Sequence, residues 1–311
     1  MSRPGTLRIV SLLPATTDIV AAFGCEGWLV GRSHECDASD YVKSLPSCTE
    51  PKFPIKGDSR DIDDRVTHLV SQGLSVYRVD EKLLQQLNPD LILTQDHCEV
   101  CAASLGDIHK AVSDIISDHC EVLSLSPNKL DDVWASFRSV GRALGVVNKA
   151  EELLEELFNR LNVISETLKN KQPVRLATIE WIDPLMTAGN WTPELISYAG
   201  GEDVMADAGA HSHRMSLSDL QNQDPDVILV IPCGYPLETT RAEMPQLDNN
   251  PDWQNLRAVR KGNVALADGN LFFNRPGPGL VESSEIVSEI LHPEIFPQKH
   301  FHDKRWEWWS G

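Results

Sequence analysis

The phrase Leu-x-x-x-x-Pro-Asp-x-Ile-Leu occurs twice in this chain, from Leu84 to Leu93 and again from Leu220 to Leu229. Each copy reads as the end of a helix, a Pro-Asp turn and a short apolar run suited to a strand buried on both faces of a parallel sheet. A duplication of this kind predicts two similar α/β lobes. Each predicted strand empties into a loop loaded with reactive side chains, Gln95-Asp96-His97-Cys98-Glu99-Val100-Cys101 in the first copy and Pro232-Cys233-Gly234-Tyr235 in the second. Ligands of open α/β sheets bind beyond such carboxyl ends.

The strongest helical pattern lies between the copies. Asn148 with Glu151 three residues on resembles a capping box, and Ala150, Leu153, Leu154, Leu157, Phe158, Leu161, Ile164 and Leu168 follow the helical period. From Asn148 to Lys169 such a helix spans roughly 33 Å. The domain reading is therefore 1–127 for an N-terminal α/β lobe, 128–172 for linking helices that include this backbone helix, and 173–311 for a C-terminal α/β lobe. In the first lobe, a strand from Leu7 to Leu13 turns at Pro14 into a helix that stops at Gly24, and a second strand, Leu29–Arg32, delivers Ser33 to Asp37. The polar stretch from Ala38 to Asp61 reads as surface loop, and helices are expected over 62–72, 81–87 and 109–116 before a strand at 122–125. In the second lobe, a strand over 174–180, a helix from Trp191 to Gly200, a helical 216–221, a strand over 263–268 and a last helix from Leu280 to Leu291 are expected. No pattern gives a place to the tail, which carries His300, His302, Trp306, Trp308 and Trp309.

With 311 residues and 41% hydrophobic side chains, the chain has enough apolar material for two packed domains. Its 46 acidic against 28 basic side chains give a net charge of -18, which repels nucleic acid and anionic membrane surfaces. Seven cysteines, an odd number, read as reduced thiols and not as a disulfide scaffold. The amino terminus shows no apolar signal core, and no stretch approaches the roughly 18 apolar residues of a membrane span. A cytoplasmic protein without a membrane span is the expectation.

The opening Ile9-Val10-Ser11-Leu12-Leu13-Pro14-Ala15-Thr16-Thr17-Asp18-Ile19, the two Pro-Asp strands and the run Arg275-Pro276-Gly277-Pro278-Gly279 carry a resemblance. Together they are similar to the helical-backbone (class III) substrate-binding proteins of ABC importers, which include receptors for vitamin B12, iron-siderophores, haem and zinc or manganese. Ser33-His34-Glu35-Cys36 and Asp96-x-Cys98-x-x-Cys101 resemble the cobalamin-binding subgroup, and the likeness runs from Arg8 to about Leu291. It implies two Rossmann-like lobes joined by one long backbone helix, with a ligand cleft between them. It also implies a non-catalytic receptor for a corrinoid such as cobalamin, or for a related tetrapyrrole or metal chelate, with an ABC permease as partner and no cofactor required. Exported members carry a signal peptide or a lipoprotein cysteine, and the segment from Met1 to Thr6 shows neither.

Candidate ligand-binding residues cluster at the predicted strand ends: Ser11, Pro14, Ala15 and Thr16; His34, Glu35 and Cys36; Gln95, Asp96 and Cys98; Trp181, Asn190 and Trp191; Cys233, Gly234 and Tyr235; and Arg275 with Pro276. Trp181, Trp191, Tyr235, Phe272 and Phe273 suit a large planar ligand, although core packing accounts for about half of such rings, Phe272 or Phe273 foremost. Backbone amides near Ala15 and Thr16, with Arg275, suit amide or carboxylate substituents. An alternative is a cytosolic zinc or other transition-metal protein using His34, Cys36, Cys98 and Cys101, with His211 or His213 from the second lobe. A solvated loop is the plain reading of His211-Ser212-His213. Cys98 or Cys36 beside a histidine would serve a thiol-dependent enzyme, but no nucleophile elbow, zinc-protease pair, phosphate loop or dinucleotide fingerprint occurs, so no enzyme is expected.

Overall fold

A computed structural model of the protein describes residues 7–71, 76–95, 120–297, 301–302 and 304–311. The chain forms two compact α/β units. Unit 1 takes residues 1–57, 61–127 and 131–155; unit 2 takes 156–311 together with the short pieces 58–60 and 128–130.

Unit 1 holds the strands β1 (Ile9–Ser11), β2 (Leu29–Arg32), β5 (Leu91–Gln95) and β6 (Glu121–Leu125) in the order β2-β1-β5-β6, with every neighbouring pair parallel. The helix α1 (Pro14–Ala22) follows β1 directly, and α4 (Glu81–Leu87) leads into β5. The stretch 38–61, expected to be plain loop, contains a helix α2 (Asp40–Ser44), a strand β3 (Thr49–Pro51) and the start of α3 (Ser59–Ser71). Local chemistry explains two of these: Ser39 caps α2 by accepting the Val42 N–H at 3.1 Å, and β3 pairs antiparallel with β4 (Tyr77–Val79). The helix expected over 109–116 lies outside the described residues.

Unit 2 repeats the plan. The strands β7 (Val174–Ile179), β8 (Gly201–Asp203), β9 (Val227–Val230) and β10 (Val264–Ala267) stand in the order β10-β9-β7-β8, all parallel, and β11 (Trp306–Trp308) adds an antiparallel edge beside β10. In both sheets the first strand sits between the second and third in sequence, so the chain winds out one way and then crosses over. That reversal places a crevice at the carboxyl ends of β1 and β5, and another at those of β7 and β9. Alternation along the strands of unit 2 builds a core on each face. Leu176, Leu229 and Ala265 point into one cluster, while Ala177, Ile228 and Leu266 point into the other.

The repeated phrase makes the same joint in both units. Asn88 and Asp224 end their helices, α4 and α8 (Leu217–Gln223), in the left-handed region, at φ 41° and 46°. Asp90 N–H then donates to the Arg8 carbonyl and Asp226 N–H to the Arg175 carbonyl, each at 2.8 Å. Arg8 Nη2 donates to the last helical carbonyl, Leu87, at 2.8 Å, and Arg175 Nη2 does the same to Gln223 at 2.7 Å. An arginine at or just before the start of the first strand thus satisfies a carbonyl that the helix end leaves open.

Between the sheets in sequence come α5 (Leu130–Ala143) and the 22-residue α6 (Val147–Leu168), whose apolar stripe of Ala150, Leu154, Leu157, Leu161, Ile164 and Leu168 is buried. The unit boundary falls within α6, at Glu155 and Glu156, so the helices of 128–172 are divided between the units. Unit 2 also contains α7 (Thr192–Tyr198), four short helices α9 (Leu237–Glu243), α10 (Pro245–Asp248), α11 (Pro251–Gln254) and α12 (Arg257–Arg260), and the buried α13 (Leu280–Leu291). The tail is structural: Trp306 is fully buried with its Nε1 on Glu289 Oε2 at 3.0 Å, and Trp309 donates to Asp248 Oδ2 at 2.8 Å. Among the described residues no helix is long and apolar enough to cross a membrane.

Candidate functional site

In unit 1 the carboxyl ends of β1 and β2 bring the expected residues into one polar network. Ser11 ends β1 and its hydroxyl lies 2.7 Å from Thr16 Oγ1, while Thr17 Oγ1 donates to Ser11 Oγ at 2.8 Å. Cys36 Sγ sits 3.0 Å from Thr17 Oγ1, buried with Ser11, Ala15 and Thr16. Pro14 opens α1, whose first turn therefore starts at this rim.

His34 and Glu35 stand on the same rim but more openly. His34 Nδ1 is 2.8 Å from Thr49 Oγ1, and its ring meets Tyr77 edge-on with centroids 4.9 Å apart. Tyr77 in turn donates its hydroxyl to Glu35 Oε1 at 2.8 Å. Burial, opposed by the Glu35 carboxylate, holds the His34 pKa below its ordinary value, so the ring is neutral at pH 7. Gln95 ends β5, whereas Asp96, Cys98 and Cys101 lie outside the described residues.

The rim of unit 2 is built from four loops. Trp181 follows β7, half-buried, and its ring rests on Tyr235 after β9 with centroids 5.2 Å apart. Trp181 Nε1 donates to the carbonyls of Ser59 at 3.2 Å and Asp183 at 3.1 Å, which fixes the indole. The loop below it is tied by Cys233 N–H to the Glu180 carbonyl at 3.1 Å, and Gly234 supplies the positive φ, 76°, of its turn. Burial, with the Glu243 and Asp58 carboxylates nearby, pushes the Tyr235 hydroxyl up to about 12, so it stays protonated.

Asn190 takes a left-handed backbone, φ 53°, clamped by its N–H on Ala210 O at 2.6 Å and by Gly209 N–H on its carbonyl at 2.8 Å. Gly189 is required there, because a Cβ would lie 2.4 Å from the Ala210 carbonyl oxygen. Trp191 is buried and donates Nε1 to the Phe273 carbonyl at 2.6 Å, and Phe272 and Phe273 belong to the core. These three rings brace the loops; Trp181 is the one that reaches the surface. Arg275 is buried with Nη2 on Asn270 Oδ1 at 3.2 Å, and Pro276 follows it half-buried.

His211 and His213 are exposed, and between them Ser212 donates to Glu180 Oε1 at 2.8 Å. Among the described residues no three His, Cys, Asp or Glu side chains come together as a metal site, and Cys36 is engaged with Thr17. A cavity of about 140 Å³ opens elsewhere, beside Asp224, Pro225 and Arg257 before β9, and is too small for a tetrapyrrole. Sequence reasoning missed Thr49 and Tyr77, which lie on the unrecognised β3 and β4, and Ser59 and Glu180, whose roles come from contacts with residues distant in sequence that leave no residue pattern.

Residues 9–271 match the model of a family described as periplasmic binding protein. The chain belongs to this family. Over 262 residues, 81% of each chain, this periplasmic binding protein family member is 22% identical to the vitamin B12-binding protein of Yersinia pestis (strain Pestoides F). A solved periplasmic heme binding protein from Pseudomonas aeruginosa shares its fold with a TM-score of 0.69 at 20% identity, covering 93% of this chain and 94% of that one. The periplasmic vitamin B12 binding protein of Vibrio cholerae does so with a TM-score of 0.65 at 18% identity, covering 95% and 100%. The resemblance to class III substrate-binding proteins is borne out, with the α/β fold it implies. A family described as periplasmic lends no support to the cytoplasmic location expected from the amino terminus.

Proposed function

We propose that this member of the family is a non-catalytic receptor for a metal-bearing tetrapyrrole, a corrinoid in the first place and a haem-like macrocycle in the second. One observation carries the reading: Trp181, backed by Tyr235 and locked by its Nε1 bonds, presents a fixed ring at the carboxyl ends of β7 and β9. A pre-oriented indole loses little freedom when a flat ligand settles on it, so most of the burial of a large ring remains as affinity. The relatives named for vitamin B12 and heme support the ligand class, and an extracytoplasmic setting and a permease partner belong to the same proposal. The ionic-zinc alternative is not favoured by relatives named for vitamin B12 and heme, and two of its ligands, Cys98 and Cys101, lie outside the described residues.

Titration with cyanocobalamin and with haemin, followed by visible absorbance and calorimetry, tests the proposal. Binding of one of them is expected, with Trp181→Ala weakening it about tenfold, the equivalent of roughly 1.4 kcal/mol. No binding of either at tens of micromolar would overturn it.

A further inference from the structure

The single N–H of the Trp181 indole is shared between two carbonyls, Asp183 at 3.1 Å and Ser59 at 3.2 Å. Asp183 is a neighbour along the chain, whereas Ser59 belongs to the short piece 58–60 that joins unit 2 from far away in sequence. The Ser59 side chain has no part in fixing that piece: the residue is fully buried, and among the described residues its hydroxyl has no hydrogen-bond partner. What holds it is the backbone. Glu243 Oε2 accepts the Ser59 N–H at 3.1 Å, so the peptide groups on the two sides of the Ser59 Cα are both bonded, one to Glu243 and the other to Trp181. Arg60 adds a two-pronged ion pair with Asp183, but that pair lies exposed to solvent and contributes little.

Glu243 is the last residue of α9, half-buried, and is itself held: Gln246 Nε2 donates to the same Oε2 at 2.6 Å, which keeps the carboxylate turned toward Ser59. A purely structural tie would stabilise the chain and stop there. This one ends on the ring that the receptor reading places under the ligand. Without the Glu243 oxygen the Ser59 N–H is left to water, the piece 58–60 loosens, and the indole keeps only its bond to Asp183. A ring free to turn must lose that freedom again when a flat ligand settles on it, which subtracts from affinity. We propose that Glu243 is a positioning residue for the ligand platform: by holding the Ser59 backbone it sets the plane of Trp181, and through Trp181 the affinity for the bound macrocycle. The second link rests on the tetrapyrrole reading above; the first, from Glu243 to the indole, needs no ligand.

Two measurements test it. Indole 15N–1H spectra of the ligand-free protein, with the Trp181 signal assigned through Trp181→Phe, follow the first link. In Glu243→Ala the Trp181 N–H should exchange with solvent several-fold faster. In Glu243→Gln, whose amide oxygen still accepts, and in Arg241→Ala, which breaks only the outward pair of α9 with Glu307, it should exchange as in the wild type. Unmoved signals of Trp253 and Trp309, both bonded to Asp248, mark an intact unit 2, and Glu243→Asp, one methylene too short, takes the place of Glu243→Ala should that variant fail to fold. Cyanocobalamin and haemin are then titrated. Whichever binds the wild type should bind Glu243→Ala several-fold more weakly and Glu243→Gln equally well, and in a Trp181→Ala background Glu243→Ala should weaken binding no further. An unchanged exchange rate in Glu243→Ala overturns the first link. Undiminished affinity, or losses that add in full to those of Trp181→Ala, overturns the second while leaving the receptor reading intact. Failure of both probes to bind the wild type overturns the receptor reading and the positioning role together.

Discussion

Asp203, at the end of β8, accepts hydrogen bonds from Thr178 Oγ1 at 2.7 Å and from the Met205 N–H at 2.9 Å, yet burial outweighs both and pushes its pKa from 3.8 up to about 6. A carboxyl whose folded pKa exceeds its unfolded value contributes fully below the unfolded pKa and loses that contribution as pH rises through the folded one. Stability should therefore fall between about pH 4 and pH 7, by on the order of 2 kcal/mol from this group. Asp203→Asn carries no charge, so urea denaturation should show its stability relative to the wild type improving by about that amount from pH 4 to pH 7. Parallel pH curves would show that Asp203 titrates normally. Thr178 also accepts the Ala188 N–H at 3.2 Å, so this acid sits under the loop that carries Asn190 and Trp191. Trp181 and His34 were legible as candidates because they follow predicted strand ends. Their partners Ser59 and Thr49 were not, because a contact between segments distant in sequence has no signature in either one.

At the scale of elements, the joint made by each repeated phrase depends on a left-handed residue. Asn88→Ala should cost about 1 kcal/mol, while Asn88→Gly should be close to neutral, because glycine adopts that backbone freely. Asp224→Gly should cost more than Asn88→Gly, since Asp224 also accepts from Arg257 Nε at 2.8 Å; equal losses in chemical denaturation would contradict the reading. The edge strand makes a second case. Trp306→Ala empties a fully buried site and breaks the bond to Glu289, and should lower the stability of unit 2 by about 3 to 5 kcal/mol in calorimetry. A loss below about 1 kcal/mol would mean that the tail is dispensable. The long helix, the two Pro-Asp joints and α13 were readable because each has enough length or repetition for a period to emerge. The three-residue strands β3, β4, β8 and β11 and the four-residue helices α10, α11 and α12 are too short for a repeating pattern to emerge, and tertiary context defines them.

For the whole molecule, ligand binding adds to stability by mass action. A tetrapyrrole present at about 100 times its Kd should raise the unfolding free energy by about 2.7 kcal/mol, seen as an upward shift in Tm. An unchanged Tm at saturating cyanocobalamin and haemin would agree with a failed titration and sink the proposed function. The duplicated topology, β2-β1-β5-β6 against β10-β9-β7-β8, differs between the units in what has been added to each. Unit 2 gained an edge strand and most of the indoles: Trp181, Trp191, Trp253, Trp306, Trp308 and Trp309 lie in it, and only Trp28 and Trp134 in unit 1. Intrinsic emission excited at the indole band is therefore mainly a signal from the second half of the chain. A strongly absorbing macrocycle settling near Trp181 would darken that signal by energy transfer, giving the protein a built-in optical gauge of its own occupancy.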